Sequence, residues 1–209
     1  AETSGKYSII VAASFQDGGN YSTGNIVIPV GKGLGIISGN ANVSAANTTT
    51  ISQITGGTVE LNGSGNTIGV ISGGTVNIKA GNNTMDEIQG GTVTIDGSGT
   101  TVLTSGSGIT SMSGGTVTFN NSGNTLAGVY GGTLTLKGAN TVGELSNSST
   151  IINAEAAGST IGGVTGGRLN AKANTSVGNF DAGTISIDAN VDVQINWGQG
   201  GDTTITGAG

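Results

Sequence analysis

The stretch GGTVNIKAGNNTMDEIQ, Gly73 to Gln89, follows directly on GGTVELNGSGNTIGVIS, Gly56 to Ser72, and is itself followed by GGTVTIDGSGTTV from Gly90. Self-similarity at a fixed spacing is the signature of a repeat architecture and outranks local propensity. Working outward, a long copy spans Gly90–Ser113, and GGTVTFNNSGNTLAGVY and GGTLTLKGANTVGELS occupy Gly114–Tyr130 and Gly131–Ser146. The period is 17 residues, with one copy of 24 and one of 16. Worn copies follow at Ser149–Thr165, Gly166–Asp181 and Ala182–Asn196, and one precedes at Ser38–Thr55.

Four apolar columns survive these changes of length. The first runs Val59, Val76, Val93, Val117, Leu134, Ile152, Leu169, Ile185. Two residues on stands the second: Leu61, Ile78, Ile95, Phe119, Leu136, Ala154, Ala171, Ile187. Alternation with period two means a strand with one buried face. The third column is Ile51, Ile68, Met85, Leu126, Val142, Ile161, Val177, and the fourth is Ile54, Ile71, Ile88, Met112, Val129, Leu145, Val164, Phe180. The three-residue step between them predicts a bend. The extra residues of the long copy, around Leu103–Ile109, fall at that bend, as a loop bulging from a corner. Such a unit cannot close a core alone, but copies stacked at ~4.8 Å can pair strand over strand and align their apolar columns. The predicted fold is therefore all-β: a single parallel β-solenoid of about nine rungs of roughly 17 residues each. A helical reading fails, because Val, Ile and Thr dominate, Gly pairs recur, and no 3.6-residue period persists.

Composition alone points the other way. Gly is 42 of 209 residues, aromatics are 3% and charged residues 9%, a mixture that without strict placement of apolar residues signals disorder. Placement decides for a folded coil. The net charge of −6 argues against attraction to nucleic acid or anionic membrane. No apolar run approaches the ~20 residues needed to cross a bilayer, so no membrane insertion is expected. Cys is absent, so no disulfide reports the redox compartment. The opening Ala1-Glu2-Thr3, without Met, is what signal-peptide cleavage leaves, and secretion is the expectation.

Little in the chain suggests chemistry. There is no His, so His-dependent triads are excluded, and Arg168 is the single arginine. The acids read as scattered: Asp86 and Glu87 at the bend, Asp96, Asp181, Asp188 and Asp192 at differing positions within their copies. The expectation is a protein that is not an enzyme, with no catalytic residue, cofactor or metal site. Asp17-Gly18-Gly19-Asn20 reads as a plain turn. The Gly pairs read as corners that need positive φ or close backbone approach. Asn66, Asn83, Asn124 and Asn140, each just before Thr, predict an amide ladder in which identical side chains bond to one another along the axis. Outward Thr92/Thr94, Thr116/Thr118 and Thr133/Thr135 form a small array resembling those of ice-binding solenoids, interrupted by Glu60, Asn77 and Arg168.

The ends pose the functional question. Residues 1–37 read as a non-repeat cap or assembly segment, 38–196 as the solenoid, and 197–209 as a cap or tail. A solenoid exposes an unpaired rung at each end, a template for another chain unless capped. Tyr7, Ile9, Val11 and Phe15 at one end, and the alternating Val193, Ile195 and Trp197 at the other, are the candidate assembly residues. Capping and head-to-tail joining of copies both remain open on the sequence. GGTLTLKGANTVGEL and GGTVTIDGSGTTV resemble the repeats of autotransporter passenger domains and filamentous-haemagglutinin-like adhesins, over about Ser38–Asn196. That resemblance implies a right-handed coil at a bacterial surface and carries across no binding residue. The expected function is a secreted structural subunit of a filament or matrix, a head-to-tail homo-oligomer. The alternatives are a monomeric adhesin or glycan-binding rod, with Tyr130 and Trp197 as stacking aromatics and a surface glycan as partner, and an ice-binding protein.

Overall fold

The computed structural model describes residues 8–10, 19–102, 112–198 and 203–207. Among these there is no helix, and all twenty-one strands join one sheet in which neighbouring turns pair in parallel. The chain winds as a β-solenoid of about ten turns, ~17 residues apart. At about 4.8 Å per turn the rod is roughly 50 Å long.

Each turn contributes one strand to each of two ladders. The first ladder includes Thr58–Leu61, Thr75–Ile78, Thr92–Ile95, Thr116–Phe119 and Thr133–Leu136. The second includes Thr50–Ile54, Thr67–Ile71, Thr84–Ile88, Thr125–Val129 and Thr141–Leu145. Near the C-terminal end the pairing continues through the corner between ladders, with register shifts around Thr165, so Ser159–Ala171 and Thr175–Ile187 each run through both.

The register bears out the columns. Val59, Val76, Val93, Val117, Leu134, Ile152, Leu169 and Ile185 pair each with the next, and all are fully buried. In the third column Val102 stands between Met85 and Leu126, a member the sequence reading lacks because the long copy displaces it from the Gly-pair count. Met112 bridges Ile88 and Val129 in the fourth. The Leu103–Ile109 segment lies outside the described residues. Its flanks, Val102 and Met112, sit in the third and fourth columns, so the insertion interrupts the expected bend and leaves the ladders in register.

The bend is visible in the pairing. Ile68 pairs with Met85 and Val70 with Glu87, leaving Gly69 and Asp86 out of the register between them. A side chain on Gly69 would run into the Ser52 carbonyl of the turn below. At the opposite corner the second glycine of each pair takes positive φ, with Gly91 at 80° and its neighbours Gly74 and Gly115 at 80° and 81°.

The coil extends further than the repeated letters. Ile26 pairs with Val43 and Ile28 with Ala45, while Leu34 pairs with Ile51 and Ile37 with Ile54. All four of these upstream residues are buried and continue the four columns. Ser8–Ile10 adds one more strand on Asn25–Ile28. Downstream, Val193–Gly198 and Thr203–Gly207 stack on Thr175–Ile187. The ladders thus continue past positions 37 and 197, with the offset between paired turns changing from 18 residues at Gly198 to 20 at Thr203.

Candidate functional site

The two sets of candidate assembly residues occupy opposite ends of the coil and are not brought together within one chain. Ile9 lies in Ser8–Ile10, in register with Ile26; Tyr7, Val11 and Phe15 lie outside the described residues. Val193, Ile195 and Trp197 lie in Val193–Gly198, opposite Thr175, Val177 and Asn179. Val193 and Ile195 are half-buried against the core while Gln194 and Asn196 are exposed, the alternation of a strand with one inward face. The inward residues of this last turn are less covered than their partners one turn earlier. Val177 and Ile185 are fully buried, whereas Ile195 is half-buried and Ile205 is 55% exposed. Apolar surface left in water forgoes about 25 cal/mol per Å², and this rung leaves more of it exposed than the turn before it.

No protein-family model matches the chain, and no curated protein or solved structure matches it. Its chemistry is therefore read from its own side chains.

Nearly every buried polar side chain among the described residues stands in one column: Thr49, Asn66, Asn83, Thr100, Asn124, Asn140, Ser159 and Thr175. Each precedes a residue whose register fixes the column. The expected amide ladder is present as a column but bonds differently. Asn side chains bond to backbone, not to each other. The Oδ1 atoms of Asn66, Asn83, Asn124 and Asn140 accept from the backbone N–H of Thr49, Asn66, Thr100 and Asn124, at 2.7, 2.9, 2.9 and 2.9 Å. The Nδ2 atoms turn back to corner carbonyls: Asn66 to Gly63, Asn83 to Ala80, Asn124 to Asn121 and Asn140 to Gly138. The reason is geometric: corner backbone groups fall out of the strand ladders, and a buried group must find some partner. Thr100 is the flaw, because its Oγ1 is buried without one. Thr100→Val removes this orphan at constant shape and is expected to raise stability by about 1 kcal/mol. Urea unfolding checks it; unchanged or lower stability contradicts it.

The acids are less scattered than the letters suggest. Lys79, Asp96, Asn120, Lys137, Glu155, Lys172 and Asp188 occupy one corner column, each backbone N–H donating to the second-column carbonyl of the turn below. Charges alternate along it. Lys172 Nζ lies 3.0 Å from Glu155 Oε1, and Lys79 Nζ lies 3.9 Å from Asp96 Oδ2. These are exposed pairs, each worth about 0–1 kcal/mol. The letters differ from turn to turn, with Asn120 among the charges, which hides the column from a repeat alignment. Among the described residues, no three His, Cys, Asp or Glu side chains gather to hold a metal ion. Of the Asp17–Asn20 turn, Asp17 and Gly18 lie outside the described residues.

Threonines stack over more turns than the three outward pairs noted from sequence. Thr50, Thr67, Thr84, Thr101, Thr125, Thr141 and Thr160 follow one another on the second ladder. On the first ladder Thr92/Thr94, Thr116/Thr118 and Thr133/Thr135 do stack as pairs, flanked by Thr75/Asn77 below and Ile151/Asn153 above.

One surface cluster was not legible as a cluster in the sequence, which singled out Tyr130 alone of its members, as a stacking aromatic. Tyr130 Oη donates to Glu144 Oε2 at 3.1 Å, and Thr165 Oγ1 donates to Glu144 Oε1 at 2.7 Å, so one carboxylate ties three turns together. Burial, with the Glu144 charge and hydrogen bond added, pushes the Tyr130 hydroxyl up to about 12 from 10.0. A raised acid contributes stability in its protonated form, fully present below pH 10.0 and lost as pH rises through about 12. Of the three tyrosines, Tyr130 is expected to ionise late in a spectrophotometric titration. Glu144→Gln should bring its transition earlier; an unmoved transition contradicts the assignment.

Proposed function

We propose that this protein is a secreted structural subunit that joins head to tail into a filament or matrix at a cell surface. The observation that carries the reading is the half-covered last rung: Val193 and Ile195 are only partly buried and Ile205 is 55% exposed, whereas their column partners Val177 and Ile185 one turn earlier are fully buried. Strands in a parallel coil all point the same way, so the first turn of a second copy can stack on the last turn of the first in the register every internal turn uses. The contact is heterologous and does not close, so it propagates. Main-chain pairing supplies affinity and the apolar columns fix register, as in strand addition. The surface address rests on the likeness of the repeats to autotransporter passenger and filamentous-haemagglutinin-like proteins.

Electron microscopy of the purified 209-residue chain tests the proposal. Filaments of rod-like width are expected. They should be absent from a variant lacking Ala1–Phe15 and from Ile205→Lys with Val193→Lys, which puts charge on the last rung. Discrete monomers from the unaltered chain at high concentration overturn it.

The stacked threonines favour a second reading, ice binding, because a flat, evenly spaced hydroxyl array is what such surfaces present. Ice shaping or thermal hysteresis by the monomeric last-rung variant would establish that activity, and their absence would remove it.

A further inference from the structure

We propose that the N-terminal face of the rod is the surface that receives the last rung of a second copy, and that the Tyr21 ring closes this face until the second copy displaces it. This rests on the head-to-tail reading and adds its regulation.

The two ends of the rod are finished differently. At the C-terminal end Ile195 is half-buried and Ile205 is 55% exposed. At the N-terminal end Ile26, Ile28, Leu34 and Ile37 are all buried to 1% exposure or less. On the first ladder the strand Ser8–Ile10 lies over Asn25–Ile28. On the second ladder the outermost strand is Asn20–Tyr21, in register with Ile36 and Ile37, and among the described residues no strand pairs on its far side. The Gly19 and Tyr21 carbonyls accept from the N–H groups of Ile36 and Ser38 at 2.7 and 3.0 Å, so this short piece is built into the ladder.

The Tyr21 side chain covers its outer edge. Gly19 stands just before the paired residues Asn20 and Tyr21, at the bend position held in later turns by Gly69, Gly143, Gly162 and Gly178. In those turns a Cβ would run into a carbonyl oxygen of the turn below, that of Ser52, Ala127, Gly143 and Gly162 respectively. At Gly19 a Cβ would meet the Tyr21 ring instead, 2.8 Å from Cε2. The ring thus stands where the backbone of a preceding turn stands elsewhere in the coil, half-buried and packed against the core.

A second copy that stacks its Val193–Gly198 strand on this edge, in the register the internal turns use, brings a carbonyl oxygen to the place the ring occupies. Both cannot be there. Joining therefore requires the side chain to rotate away, which exposes apolar surface before intermolecular contacts replace it. Only heads with the ring displaced can accept a tail, and their small fraction lowers the rate of joining by the same factor.

Light scattering and electron microscopy of the 209-residue chain beside Tyr21→Ile test this. Isoleucine is the residue this column uses in each of the next four turns, at Ile37, Ile54, Ile71 and Ile88, so the variant keeps an inward apolar group and lacks the ring. Filament growth about tenfold faster than from the unaltered chain is expected, matching the exposure of half an aromatic side chain, while circular dichroism shows the same fold. Tyr21→Phe keeps the ring and should grow at the unaltered rate. Ile205→Lys with Val193→Lys, added to any of the three, should abolish growth. Filaments from the unaltered chain and from Tyr21→Ile at equal rates overturn the gate and leave the head-to-tail reading standing. No filaments from either overturn both, and faster association that survives the two lysines is non-specific and overturns the gate.

Discussion

Replacing Gly91 by asparagine is expected to destabilise the coil by about 3 kcal/mol or more, whereas Gly123→Asn should cost less than about 1 kcal/mol. Both residues hold positive φ, 80° and 82°, a region asparagine tolerates better than other non-glycine residues. Dihedral freedom therefore does not separate them. What separates them is the turn below. A Cβ on Gly91 would sit 2.8 Å from the Gly74 carbonyl oxygen and 2.9 Å from the Gly73 carbonyl carbon. Those atoms belong to backbone clamped in its own Gly pair and cannot yield. A Cβ on Gly123 finds nothing nearer than 3.7 Å. Asn82 already shows a side chain accepted at that second corner, at φ 56°. Paired thermal melts of the two variants measure the difference; equal losses contradict the view that inter-turn contact, and not φ alone, keeps the Gly pairs.

Asn124→Leu is the second large effect, expected at about 2–4 kcal/mol of destabilisation. The side chain is buried at 1% exposure, and leucine matches its shape, so packing changes little. Two hydrogen bonds vanish together. The Thr100 N–H loses its acceptor at 2.9 Å and the Asn121 carbonyl its donor at 3.0 Å. Both are backbone groups at a corner where the strand ladder offers no substitute. Asn124→Asp keeps the acceptor and loses the donor, and should fall between wild type and Asn124→Leu near neutral pH. Denaturant titration provides the values; a Leu variant as stable as wild type would mean that the column is packing and not hydrogen bonding.

These two residue types also show what the sequence could and could not tell. Letters repeat where the fold accepts only one solution: glycine where a neighbouring turn touches Cα, as at Gly91, and apolar residues where four columns meet, as at Val93 and Ile95. Those positions made the coil, its period and its bend legible. Identity fades where several residues solve the same problem. Asn25–Ile28 and Gly33–Ile37 are full turns of the coil, yet without a Gly-Gly-Thr signature they read as a separate segment. The Asn column includes Thr49, Thr100, Ser159 and Thr175, since a short hydroxyl side chain also fits the corner, and only its burial reveals the membership. The column from Lys79 to Asp188 escapes alignment because acidic, basic and amide side chains all occupy it. Tyr130, Glu144 and Thr165 meet across three turns through offsets the columns do not use. The spacing of Glu144 relative to its own Gly pair, matched by Glu87 one residue before Ile88, was the one signal that could have placed an acid on that face.

The most direct test of the account is a disulfide, made possible because the chain has no cysteine of its own. Thr75 and Thr92 stand in register on adjacent turns of the first ladder, which puts their Cα atoms about 4.8 Å apart, within the ~4.4–6.8 Å a disulfide spans. Thr75→Cys with Thr92→Cys should close an intramolecular bridge under mild oxidation and retain the fold. Thr75→Cys with Thr84→Cys, on different ladders, should stay reduced. If the first pair remained as two free thiols while the second bridged, the chain would not be wound as a parallel coil with a turn every seventeen residues.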